Sequence, residues 1–162
     1  MTTLSLWPIV LLSIATPAPA ADDLAARCER EVIELHVFFE EWFHARLDDT
    51  DAAYARFADA MAADMIYIGP GGNSLTRQPL LTGLRGRHGA WKGSEARIWI
   101  EAVETRDLGG GLALVTYEEW QTDPAGDTRA RRSTILLEVS DAGPAGLVWR
   151  HVHETWMPES VK

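Results

Sequence analysis

The residues best equipped for chemistry lie near the C-terminus, in the run Leu147 to Trp156. It is rich in aromatic and β-branched residues and reads as a strand. Side chains alternate between the two faces of a strand. Trp149, His151, His153 and Thr155 are therefore expected on one face, with Val148, Arg150, Val152, Glu154 and Trp156 on the other. A histidine facing a carboxylate can carry a proton near neutral pH, because its unperturbed pKa is about 6.5. Glu118 supplies such a carboxylate, sharing an expected strand face with Leu112, Leu114, Thr116 and Trp120. Apolar surroundings would raise its pKa and suit it to proton transfer. The expected catalytic pair is His153 with Glu118, and Tyr67 is placed to donate a hydrogen bond to a developing oxyanion. Trp99, Trp120, Ser133 and His151 complete the expected ligand-binding wall.

Other chemistries are less well supplied. His151-x-His153 has metal-ligand spacing, but a third histidine has no room before Lys162, and no metal is assigned. The Gly69-Pro70-Gly71-Gly72 run is a turn and not a phosphate cradle, since Pro70 lacks an N–H and no Gly-Lys-Ser/Thr follows. There is no Ser-His-Asp order for nucleophilic catalysis and no dinucleotide fingerprint, and no cofactor is expected. Cys28 is the single cysteine, which excludes an intrachain disulfide, and it reads as a small buried residue. The net charge of -9 repels phosphate backbones and argues against nucleic-acid partners.

The elements that must position these groups follow from periodicity. A first helix is expected over residues 22–47, with Val32, Leu35, Phe39, Trp42 and Phe43 on its apolar stripe. His36 and His44 flank that stripe. Thr50 or Asp51 can cap a second helix over residues 51–63. A short strand, Met65 to Ile68, leads into the Pro-Gly turn, and a short helix is expected from Gln78 to His88. Arg77, Arg85, Arg87, His88 and Lys92 concentrate positive charge around that helix. Four long strands follow, over residues 97–105, 112–121, 129–140 and 147–156, joined by Gly- and Asp-rich turns. Helices first and a meander after predict an α+β fold, with the helices on one face of a curved antiparallel sheet and a conical cavity between.

Three stretches extend this to a family resemblance. They are the helix, strand and Pro-Gly turn from Phe57 to Gly72, the Arg131-Arg132-Ser133-Thr134 entry to a long strand, and Trp149-Arg150-His151-Val152-His153. Over roughly residues 27–157 the chain resembles the nuclear transport factor 2-like superfamily, in its SnoaL-like branch. Thr155 stands where relatives often carry a second histidine. The resemblance implies a cone-shaped fold and pairing into a homodimer through the open sheet face. The expected function is binding of a small, largely apolar molecule in the cone. The alternative is a cofactor-free lyase, isomerase or hydrolase using the His–carboxylate pair. Residues 1–20 carry no charged side chain and end in Ala18-Pro19-Ala20, the pattern of a cleaved signal peptide. The apolar run is too short for a membrane span, which needs about 20 residues. The expectation is a single domain over residues 21–162, periplasmic or secreted if that segment is a signal peptide and cytoplasmic otherwise.

Overall fold

The computed structural model of the protein describes residues 24–158. The expected signal peptide lies outside the described residues. Helix α1 (Leu24–Phe43) buries Cys28, Val32, Leu35, Phe38 and Trp42 along one face. It ends four residues short of the expected Leu47. The amides of Gly89 and Trp91 take the carbonyls of Trp42 and Phe43 at 3.1 and 2.8 Å, and Ala45 turns into the left-handed region with φ 55°. Helix α2 (Asp51–Ala58) starts where the Thr50 hydroxyl accepts a hydrogen bond from the Ala53 amide at 3.2 Å.

The alanine-rich segment after α2 was expected to stay helical. Instead strand β1 (Met61–Ile68) begins there. Met61 pairs with Trp149, and the Ala60 carbonyl accepts the Trp149 amide at 2.8 Å. Sheet pairing outweighs the helix preference of alanine. Strand β2 (Ser74–Thr76), absent from the sequence reading, returns antiparallel to β1 across the glycine turn. Helix α3 (Arg77–Arg85) follows, then strands β3 (Arg97–Gly109), β4 (Leu112–Thr122), β5 (Thr128–Val139) and β6 (Leu147–Trp156).

The six strands form one curved, open sheet in the order β2-β1-β6-β5-β4-β3. The fold is α+β, as expected, although the β1–β6 pair is parallel while the other pairs are antiparallel. Helix α1 lies against β3 and β4, and α3 packs on β1 and β2. Among the described residues no helix is long and apolar enough to cross a membrane.

Strand β6 contains the feature that decides which side chains enter the cone. Leu136 of β5 is opposite His151, but the next residue, Leu137, is opposite Trp149. Arg150 is the extra residue of a β-bulge, and a bulge reverses the alternation beyond it. Trp149 faces inward before it, and Val152 and Glu154 face inward after it, all three buried. Trp149 donates its indole N–H to the fully buried Glu31 at 2.9 Å. Arg56 also clamps Glu31, at 2.8 and 3.3 Å. Truncating Glu31 to alanine removes the acceptor for both donors. Breaking such a pair from one side costs roughly 3 kcal/mol, so the urea midpoint of Glu31→Ala should fall sharply; a loss below about 1 kcal/mol would contradict this account.

Candidate active site

The inner faces of four strands bring a charged cluster into the cone. On β4 the inward residues are Ala113, Val115, Tyr117 and Glu119, with Gln121 next in the series. Arg131 of β5 lies opposite Glu119, while β6 supplies Glu154 and β1 supplies Tyr67. His36 reaches in from α1. Leu35, Phe39, Phe57, Met61, Met65 and Trp149 provide apolar wall around a cavity of about 220 Å³. Exposure rises from Glu119, at 1%, through Gln121 to Arg87 after α3, which marks the open end.

Glu119 is the centre of the cluster. Arg131 grips it with two hydrogen bonds, at 2.9 and 2.6 Å, and the Gln121 amide donates at 2.5 Å. The Nε2 of His36 lies 3.2 Å from the same carboxylate, and its Nδ1 lies 2.6 Å from the Val32 carbonyl. Both ring nitrogens therefore face oxygen acceptors. Burial opposes charge on Glu119, but Arg131 and His36 outweigh it and hold the carboxyl well below the usual range. Glu154 behaves in the opposite sense. Burial pushes its pKa up, against the pull of Arg131 at 3.3 Å and with the help of the neighbouring Glu119 charge. Tyr67 donates its hydroxyl to Glu154 at 2.8 Å, and burial raises the phenol pKa too. One cavity thus holds one carboxyl kept ionised and another pushed toward its neutral form, the arrangement that separates acid from base in many active sites.

The expected pair, His153 with Glu118, is not in the cavity. Both lie on the outer sheet face. Glu118 pairs with Arg132 at 2.5 Å, and His153 is exposed opposite Ile68 and Thr134. For His153 the Arg150 bulge reverses the face. On β4 the reason is ambiguity: Leu114 and Trp120 point outward while Val115 and Tyr117 point inward, so both faces carry apolar residues. Trp99 and Trp120 stack on each other outside the cone with centroids 6.0 Å apart, and His151 sits on the same outer face. They do not line the cavity. Ser133 is fully buried on the inner face, opposite Tyr117 and Glu154, but is not among the residues that line the cavity. Tyr67 does line the cavity. His36, Glu119, Arg131 and Glu154 line the cavity without being among the residues expected there. Their signal was the cross-strand pairing of Glu119 with Arg131, which is visible only once the register is known. Among the described residues no three His, Cys, Asp or Glu side chains gather as a metal site.

The family described as sucrose-6-phosphate phosphohydrolase C-terminal matches residues 28–158. The chain belongs to this family. A protein of Arabidopsis thaliana called "Probable sucrose-phosphatase 2" is 27% identical over 151 residues, which are 90% of this chain and 35% of that protein. Sucrose-phosphatase 1 of Nicotiana tabacum is 28% identical over 129 residues, 78% of this chain and 30% of that protein. The chain thus spans about a third of the length of these relatives. An NTF-2-like protein of unknown function from Pseudomonas aeruginosa superposes with a TM-score of 0.70 at 30% identity, covering 82% of this chain and 99% of that one. The nuclear transport factor 2-like fold is therefore shown. The expectation of a chemistry-free site for a small apolar molecule is corrected: the family description names a sucrose-6-phosphate phosphohydrolase, the relatives are named sucrose-phosphatases, and the cavity wall carries a charged cluster.

The two carboxyls should respond oppositely to substitution and to acid. Glu119 has a folded pKa below its unfolded value of about 4.3. Its stabilisation is present above that value and is lost as the pH falls. Glu154 has a raised folded pKa, so its contribution is present in acid and is lost as the pH rises through that value. At pH 7, Glu119→Gln should cost about 3 kcal/mol by leaving Arg131 short of a partner. Glu154→Gln keeps an acceptor for Tyr67 and should cost less than about 1 kcal/mol. Urea unfolding between pH 4 and pH 8 checks both, and equal losses in the two variants would refute the assignment.

Proposed function

We propose that the cone is a hydrolytic acid–base site for a phosphorylated sugar, with sucrose 6-phosphate as the first substrate to test. The observation that carries this reading is the pair of carboxyls driven in opposite directions, Glu119 ionised and Glu154 toward neutral. Membership of the sucrose-6-phosphate phosphohydrolase C-terminal family supports the substrate class.

In this reading a water oxygen bonds to phosphorus as the bond from phosphorus to the sugar oxygen breaks. Glu154 gives its proton to the departing sugar oxygen and recovers one from the attacking water, so the products are a free sugar hydroxyl and phosphate. Tyr67, hydrogen-bonded to Glu154, fixes the direction of that carboxyl. Glu119 stays ionised and anchors Arg131, whose remaining nitrogen lies 3.3 Å from Glu154. The His36–Glu119–Arg131 frame thus holds the proton donor in place. A positioned proton donor contributes about 10²–10⁴-fold to such a reaction.

A second reading is supported by the length of the match. The family description names a C-terminal part, and the relatives are about three times as long as the matched segment. In that reading the chain holds the sugar phosphate for a hydrolytic centre on another segment or polypeptide. Release of inorganic phosphate from sucrose 6-phosphate by the purified chain separates the two. The first reading expects turnover that falls about 100-fold in Glu154→Gln. Absence of turnover, or turnover indifferent to Glu154, sinks it in favour of the second.

Self-association through the outer sheet face is a further part of this proposal. Leu114, Leu136, Trp99 and Trp120 are half-buried there beside His151. Leu136→Arg is expected to convert a dimer to a monomer by sedimentation; an unchanged mass would remove the face from consideration.

A further inference from the structure

The arginines of this chain are mostly spoken for. Arg56 and Arg131 hold buried carboxylates, Arg85 and Arg150 hold surface ones, and Arg77 donates to the carbonyls of Ala58 and Met61. Arg87 differs. It lines the open end of the cone, and among the described residues it forms no ion pair. Its guanidinium lies over the ring of Phe43, 4.7 Å from the centroid, and Phe43 is itself part of the cavity wall. That stacking directs the cation along the wall instead of away into solvent. The residue is exposed at the rim, yet the wall partly desolvates its guanidinium, and with the nearby Arg131 charge this lowers its pKa.

The two carboxyls of the cavity, Glu119 and Glu154, both lie against Arg131, at 2.6 and 3.3 Å. Among the described residues none is paired with Arg87 at the open end. The space beside it is open. Gly83 on α3 also lines the cavity, four residues before Arg87, and a Cβ there would meet nothing within 4 Å. Helical glycine is disfavoured relative to alanine, so local helix stability does not explain its presence at that wall position. An unpaired guanidinium, an open pocket beside it and polar groups behind it suit a phosphate-sized oxyanion.

We infer that Arg87 is the specificity-determining residue of the cone, binding the anionic group of the ligand at the open end so that the sugar part faces Tyr67 and Glu154. This rests on the sugar-phosphate reading above and adds the orientation and the residue that selects charge. The anion is singly or doubly charged and compact, such as a phosphate monoester, and neutral sugars bind the same cavity without this contact.

The test measures binding of sucrose 6-phosphate, sucrose and inorganic phosphate to the full chain by titration calorimetry. Wild-type protein is expected to prefer sucrose 6-phosphate over sucrose at least tenfold, about 1.4 kcal/mol. Arg87→Ala should bring that ratio near one and abolish phosphate binding, while affinity for sucrose stays within about twofold of wild type. Arg87→Lys should keep part of the preference, because the charge remains but the planar fork is lost. Thermal unfolding of each variant reports whether the fold is intact. A preference that survives Arg87→Ala overturns the inference, as does a wild-type chain that binds neither phosphate nor sucrose 6-phosphate. Arg87-dependent binding without phosphate release would sink the hydrolytic reading and leave this inference standing. Phosphate release with charge preference independent of Arg87 would do the reverse.

Discussion

The bidentate grip of Arg131 on Glu119 is the constraint around which the cone is organised. A carboxylate that is 1% exposed cannot remain charged unless its environment replaces water. Arg131, Gln121 and His36 supply that replacement from two strands and a helix. Helix α1 must therefore lie at a fixed height over the sheet, because only then does His36 meet Glu119. The adjacent strands β4 and β5 must keep the register that sets residue 119 opposite residue 131. The same arginine reaches Glu154, so the position of β6 is tied to that pair as well.

A second buried acid works at another place in the core and for another purpose. Glu31 joins α1 to α2 through Arg56 and to β6 through Trp149. It has no opening toward the cavity wall, and both of its oxygens are occupied by donors. The three buried acids on the inner side of the fold thus divide their work. Glu31 fastens elements together, whereas the Glu119–Glu154 pair faces space that a ligand can enter. The difference lies in which neighbours hold each carboxylate, since burial is nearly complete for both Glu31 and Glu119.

The architecture was readable from the chain because it depends on long-range periodicity. The helices, the four long strands and their turns announce themselves through apolar spacing and Gly- and Asp-rich breaks, and so the α+β cone could be expected. The site was not readable because it depends on parity. A strand with apolar residues on both faces, such as β4 with Leu114 and Trp120 outside and Val115 and Tyr117 inside, gives no clue to which carboxylate of Glu118 and Glu119 is enclosed. The same doubt separates Arg131 from Arg132. In β6 the alternation itself changes at Arg150, so a face assigned from Trp149 is wrong four residues later. His36 is hidden for a different reason: a place beside the helical stripe says nothing of a partner, and the partner is supplied by a strand 83 residues away.

The bulge at Arg150 also separates two kinds of wall on one strand. Before it, β6 delivers an indole to the core, and after it β6 delivers a carboxyl to the cavity, with the imidazoles of His151 and His153 turned away. The chemical identity of that wall is thus encoded in the pairing of one residue. If Arg150 paired in the regular ladder instead of bulging out of it, plain alternation would continue from Trp149 and His153 would take the place of Glu154 opposite Ser133, replacing an acid with an imidazole without any substitution. Gain or loss of this bulge is therefore a route by which one cone can exchange its chemistry while its core remains the same.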